Sequence, residues 1–176
     1  MRGQDIALLL KLATLNKPNV PSKELAASLF ISPSEVSKSL KRCVEAGLLY
    51  VSGPEKRVNG TALLEFLAHG LKYVFPPIRG SMARGVPTAA ATEPLKSRLV
   101  DDGEPPTVWP YAGGKVRGIS MAPLYKAAPK AALLDAKFYR VLALSDAIRS
   151  GRTRERKLAV ELLEMEIHGE SESTVA

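Results

Sequence analysis

Between Leu25 and Leu40 the chain reads LAASLFISPSEVSKSL, and this stretch restricts the possible fold more than any other. Ser32-Pro33-Ser34-Glu35 is a helix start: an N-cap serine, a proline at the first helical position, and a glutamate placed to close a capping box. Only Phe30 and Ile31 separate it from the apolar positions Leu25, Ala26 and Leu29. Their spacing predicts a short helix opening after Pro21, with Ser22 as its N-cap. Two helices joined so tightly must cross at close range. Ala26 is small enough for the crossing, and Leu29, Ile31 and Val36 are placed to fill the wedge between them.

The elements on either side extend the pattern. Upstream, Ile6, Leu9, Leu10 and Ala13 predict an amphipathic helix over residues 4–15, broken at Asn16-Lys17-Pro18-Asn19. Downstream, Val36, Leu40 and Cys43, with Val44 beside them, mark the buried stripe of the third helix, and Gly47 ends it. Leu48 to Val51 reads as a strand, Ser52-Gly53-Pro54-Glu55 as a turn, and Lys56-Arg57-Val58 as the returning strand. Leu63, Leu64, Leu67 and Leu71 then place a helix from about Thr61 to Phe75.

With the core stripe assigned, the outward face of the third helix presents Ser34, Ser37, Lys38 and Lys41, with Arg42 at its margin. Serine hydroxyls can contact bases or phosphates, and lysine can donate to guanine acceptors or to the phosphate backbone. The turn adds Lys56 and Arg57 where a wing would meet phosphate or the minor groove. From residue 5 to about 75 this arrangement resembles the winged helix-turn-helix of MarR-like bacterial transcription regulators. Its most recognisable piece is LAASLFISPSEVSKSLKRCVEAGLL with the strand and turn that follow. The resemblance implies that Ser34, Ser37, Lys38 and Lys41 contact DNA, and that a homodimer binds a pseudo-palindromic site. The chain departs from that pattern at Phe30, where such turns usually carry glycine, and in the shortness of the wing. A residue with a side chain at that position implies either a different turn or local strain.

Charge agrees with a polyanionic partner. The net charge is +7, divided as +4 over residues 1–75, +4 over 76–130 and −1 over 131–176. A basic front two-thirds favours nucleic acid, because phosphates neutralised by lysine and arginine release counterions.

Proline divides the rest of the chain. Nine of the 13 prolines fall between Pro76 and Pro129, and periodicity is lost there. Residues 76–130 are therefore expected to form a proline-rich extended strap. One hairpin is expected near 107–119: Thr107 to Tyr111, a turn at Gly113-Gly114, and Lys115 to Ile119, with Pro110 restricting it to an edge. Arg79 to Gly85 reads as an exposed basic loop, or as an arm tracking a minor groove. Residues 131–169 read as an antiparallel helical hairpin broken at Ser150-Gly151. Its first helix carries Leu134, Phe138, Val141 and Ile148; its second carries Leu158, Leu162 and Met165. Residues 170–176 form a polar tail expected to be disordered. The fold class is thus mainly α: an N-terminal winged helix-turn-helix with a small β wing over 1–75, the strap, and the C-terminal helical hairpin.

The remaining features argue mostly by exclusion. Cys43 is the single cysteine, which excludes an internal disulfide; its place on the core stripe reads as a buried structural thiol. His69 and His168 stand apart from each other and from metal-ligand spacings, so no metal or cofactor is expected. Asp101-Asp102 and Glu104 read as a solvated acidic loop. Phosphate-binding glycine loops, nucleophile elbows and paired catalytic acids are lacking, so catalysis is not expected. No run reaches the roughly 18 apolar residues of a membrane helix, and no signal-peptide pattern opens the chain; a cytoplasmic protein is expected.

The expected function is sequence-specific binding of double-stranded DNA by a dimeric repressor. The rival expectation is a protein-interaction module, an antitoxin-like partner that docks another protein through residues 76–168. A ligand-sensing regulator would need a pocket that the sequence does not reveal.

Overall fold

Helix α1 (Gly3–Leu15) is wrapped by α2 (Ser22–Leu29), α3 (Pro33–Glu45), strand β2 (Glu55–Val58), α8 (Ala136–Ser150) and α9 (Thr153–His168). The computed structural model describes residues 1–100 and 103–169. The acidic pair Asp101-Asp102 and the expected tail over 170–176 lie outside the described residues. Every residue of α1 from Asp5 to Leu12 is buried, so the helix is not amphipathic as its spacing suggests. A helix buried all round is a core helix, and α8 and α9, which sequence periodicity could not place beside it, pack against it. Each of its buried leucines contributes about 1.5–3 kcal/mol on burial.

The two buried charges of α1 each have a partner. Asp5 meets Arg42 of α3. Lys11 Nζ donates to Asp135 Oδ2 at 2.5 Å and lies 5.2 Å from the centroid of the Phe138 ring. Asp135 is also the N-cap of α8, accepting from the Phe138 amide at 3.0 Å. One carboxylate thereby starts α8 and fixes it to α1.

After α3 the chain forms the antiparallel hairpin of β1 (Leu49–Ser52) and β2, closed by the two-residue loop Gly53-Pro54. Helices α4 (Gly60–Glu65) and α5 (Leu71–Val74) follow, joined by a π-helical turn at Phe66–Gly70.

Residues 76–130 differ most from expectation. Arg79 to Gly85, read as a loop or arm, lies in strand β3 (Arg79–Pro87), the longest strand described. It pairs antiparallel with both β4 (Thr107–Pro110) and β5 (Val116–Met121), and these three close a small barrel. The expected hairpin over 107–119 therefore does not form: β4 and β5 touch each other only in parallel, at Thr107–Ile119 and Val108–Ser120. The physical reason is close backbone approach. A Cβ on Gly85 would fall 1.9 Å from the Trp109 carbonyl, and one on Gly118 would fall 1.9 Å from the Pro106 carbonyl. These glycines let β3 and β5 close on β4. A short 3-10 turn at Ala89–Ala91 and helix α6 (Leu95–Arg98) lie between β3 and β4.

A buried ionic node holds this unit to α8. Asp146 Oδ2 accepts from Thr88 Oγ1 at 2.7 Å and from Trp109 Nε1 at 2.6 Å, and its Oδ1 accepts from Arg149 Nε at 2.8 Å. Arg149 also donates to the carbonyls of Ala122 and Phe75, at 2.5 and 3.4 Å. The strap is thus folded and pinned, not extended.

Helix α7 (Ala128–Ala132) runs across the boundary expected at 130/131. Leu133 and Leu134 follow it outside any helix and are 54% and 75% exposed, so Leu134 is not part of the hairpin's apolar face. Helices α8 and α9 do form an antiparallel pair: Arg140 near the start of one meets Glu166 near the end of the other at 2.7 Å. Their apolar faces join the N-terminal helices in one core that runs from Ile6 to Leu163. Residues of all three segments, 1–75, 76–130 and 131–169, share that core. The protein is mainly helical with two small sheets.

Candidate nucleic-acid interface

The turn between α2 and α3 sets the pose of α3. Phe30 adopts the left-handed conformation, with φ 53° and ψ 43°. Its amide donates to Ala27 O, and the Ile31 amide donates to Ala26 O. That pair of bonds is a Schellman motif with phenylalanine at the position glycine favours. The strain expected from a side chain there is therefore present, at about 1–2 kcal/mol for a left-handed non-glycine residue. Lys130 from α7 sits 4.1 Å from the centroid of the Phe30 ring, a cation–π contact that partly offsets it. Glycine occupies the equivalent position at the other end of α3, where Gly47 has φ 71°.

Ser32 caps α3 as expected, its Oγ accepting from the Glu35 amide at 3.2 Å. Glu35 does not close a reciprocal box. Its carboxylate accepts from Gln4 Nε2 at 2.7 Å and lies near Lys38 and Arg2. The Gln4 hydrogen bond is the main reason its carboxyl is held below the usual range. Two contacts thus fasten α3 to α1: Glu35 with Gln4 at one end, and Arg42 with Asp5 further along.

The second contact removes Arg42 from the expected interface. Its Nε and Nη2 donate to the two oxygens of Asp5 at 2.8 and 2.6 Å, and Nη2 also donates to Ser39 Oγ at 3.1 Å. Burial pushes the Asp5 carboxyl up, and the bonds from Arg42 and Ser39 outweigh it and hold it below the usual range. The fork is filled by a buried carboxylate, so the Nε and Nη2 edge of Arg42 holds α3 to α1. Asp5 had no local signal as its partner; it reads in sequence as an ordinary first-turn acid.

Lys56 is committed in the same way. Its Nζ donates to the carbonyls of Val20 and Pro54 at 2.9 and 3.2 Å, which ties the β1–β2 hairpin to the loop after α1. Arg57 remains projecting, 72% exposed, with Glu55 3.5 Å away.

The stripe Ser34, Ser37, Lys38 and Lys41 is exposed along one face of α3, as the spacing predicts. Ser37 Oγ donates back to the Pro33 carbonyl at 3.2 Å, which leaves its lone pairs free to accept. Lys38 pairs with Glu35 at 3.5 Å and Lys41 with Glu45 at 3.9 Å. Both ammonium groups are exposed, although Glu35 itself is half-buried, and pairs this open and long are worth little, so either ammonium can exchange its carboxylate for a phosphate at small cost. Cys43 lies beneath this face, fully buried, where burial pushes its thiol up to about 12; it is not a reactive thiolate.

Among the described residues no three His, Cys, Asp or Glu side chains converge into a metal-sized cluster. Among the same residues no helix is long and apolar enough to cross a membrane. Comparison with protein-family models, with curated proteins and with solved structures found no match.

Proposed function

We propose that the protein is a sequence-specific binder of double-stranded DNA, a winged helix-turn-helix regulator whose recognition helix is α3. The observation that carries this reading is the combination of a rigidly held α3 with an exposed stripe of Ser34, Ser37, Lys38 and Lys41. A helix that reads bases must be both fixed in pose and free on its outer face. The Arg42–Asp5 and Glu35–Gln4 contacts supply the first requirement without using the second. Arg57, at the hairpin that follows, reaches flanking phosphate. Two copies would place two such helices in successive major grooves about one turn apart, and repression by occluding a promoter is the simplest consequence. The exposed Leu133 and Leu134 offer apolar surface for the second copy.

That same leucine pair favours one other reading, an interaction module that docks a different protein. Selection from a random duplex library separates the two. The DNA reading expects an enriched motif of two half-sites, lost when Lys38 and Lys41 are both changed to alanine, with the salt slope of non-specific binding reduced by about 2. No enrichment, or binding that the double variant retains, would overturn it and leave the docking reading.

A further inference from the structure

The helical stretch from Gly60 to Val74 carries a defect at its middle. Phe66–Gly70 is π-helical, closed by the Leu71 amide donating to Phe66 O. A π-turn has poorer hydrogen bonding than an α-turn, and such turns concentrate at functional sites. This one borders a groove of about 540 Å³ between the stretch and the first turns of α9. Ligand clefts commonly span about 300–1,000 Å³. His69, Lys72 and Tyr73 line one wall, Arg156 and Lys157 the other, and Glu161 is the carboxylate of the lining.

Two features of this lining bear on what it can hold. Among the described residues Lys72, Arg156 and Lys157 have no carboxylate partner, and all three line one concavity. Unneutralised cations around one concavity focus a positive potential there. The Tyr73 ring is 74% exposed, with Lys72 Nζ 4.6 Å from its centroid. A ring in that position serves no core; Lys72 lies over one of its faces, and the ring is otherwise largely exposed.

We propose that this groove binds a nucleoside polyphosphate, with Lys72, Arg156 and Lys157 holding the phosphates and Tyr73 stacking on the base. Convergence of the cations on a concavity distinguishes this site from a stripe that tracks a phosphodiester backbone. The inference goes beyond duplex binding and does not depend on it, since neither α3 nor the β1–β2 hairpin lines the groove.

Equilibrium dialysis of the full chain against ATP, tripolyphosphate and adenosine tests it. ATP should bind most tightly, tripolyphosphate more weakly, and adenosine not measurably at millimolar concentration. Lys72→Ala with Arg156→Ala should weaken ATP and tripolyphosphate at least about tenfold through lost charge-assisted bonds, and Tyr73→Ala should weaken ATP alone. Lys126→Ala with Lys137→Ala removes the same charge at exposed positions outside the groove and should leave binding unchanged. Circular dichroism checks folding, and a Lys72→Gln, Arg156→Gln pair replaces the alanine pair if that fails. The proposal is overturned if neither ATP nor tripolyphosphate binds at millimolar concentration. It is equally overturned if the control pair loses as much as the groove pair, or if ATP binds no more tightly than tripolyphosphate.

Discussion

Asp146→Ala should be among the most damaging single changes in this protein, although the residue lies far from α3 in sequence. The carboxylate is 1% exposed and receives Thr88, Trp109 and Arg149. Removing it leaves the Arg149 guanidinium, 3% exposed, without a counter-charge. Breaking a buried pair from one side costs about 3–5 kcal/mol. The indole N–H and the threonine hydroxyl are orphaned too, at about 1–3 kcal/mol each where no water replaces the acceptor. The terms overlap, so about 4–6 kcal/mol is expected, a large share of the roughly 5–15 kcal/mol that holds a domain folded. Urea unfolding at pH 7 followed by circular dichroism gives the total. Fluorescence gives the local effect, because Trp109 is the only tryptophan; its emission should shift red as the β3–β5 unit loosens from α8. Arg149→Met should also be costly, and Asp146→Ala combined with Arg149→Met should cost less than the two single changes added together. A loss under about 1 kcal/mol with unshifted emission would refute the node, as would strict additivity in the double variant.

Arg42→Met leaves the buried Asp5 carboxylate unpaired and should cost about 2–4 kcal/mol in the same assay, reduced from a fully buried pair because Arg42 is partly exposed. Lys38→Ala and Lys41→Ala should each stay within about 0.5 kcal/mol of the parent; a cheap Arg42 change would return that side chain to the interface. Asp5 and Asp135 both lie below the usual carboxylate range, burial raising each while Arg42 and Ser39, or Lys11 and the Phe138 amide, lower it further. A carboxyl depressed on folding contributes stability that is present above its unfolded value of about 3.9 and lost as pH falls through its folded value. The urea midpoint should therefore drop on acidification below about pH 4, and less steeply in Asp135→Asn; identical acid limbs would exclude this pair as a source. Arg84 faces Arg117 directly across β3 and β5. Replacing like charges with opposite ones by Arg84→Glu should raise stability by about 0.2–1 kcal/mol, and a lower urea midpoint would show that the two arginines are not repelling.

How far the fold could be read from sequence follows from how local each determinant is. The α2–α3 pair was legible because Ser32, Pro33 and Gly47 act on their immediate neighbours, and the stripe Ser34, Ser37, Lys38, Lys41 follows from helical spacing alone; Ser22, expected as the N-cap of α2, is instead its first helical residue, and Pro21 takes the cap position with no side-chain bond. Strand β3 was not legible. RGSMARGVP has no apolar alternation, and it becomes a strand through partners at Trp109 and Ile119, more than twenty residues away. The node that holds it joins Thr88, Trp109 and Asp146, which carry no shared local pattern.

Phe30 shows how far a local rule reaches before tertiary contacts take over. Its position in the turn calls for glycine, and the left-handed backbone is there, so the strain was legible. What makes phenylalanine tolerable is Lys130, contributed by α7 from the other end of the chain. Arg42 and Lys56 illustrate the same limit from the opposite side. Both stand at the margins of their elements, as does Val44, which was expected beside the buried stripe and is 44% exposed, and a long cationic side chain at a margin can turn either way. The acceptors packed nearby decide the direction: Asp5 for Arg42, the Val20 and Pro54 carbonyls for Lys56. Lys38 and Lys41 lie at the centre of the exposed face, where their carboxylate partners, Glu35 and Glu45, are one turn away on the same helix and neither is fully buried. The cations best suited to an external anion are therefore those furthest from any buried acceptor, a criterion that spacing supplies for the middle of a face and that only packing supplies for its edges.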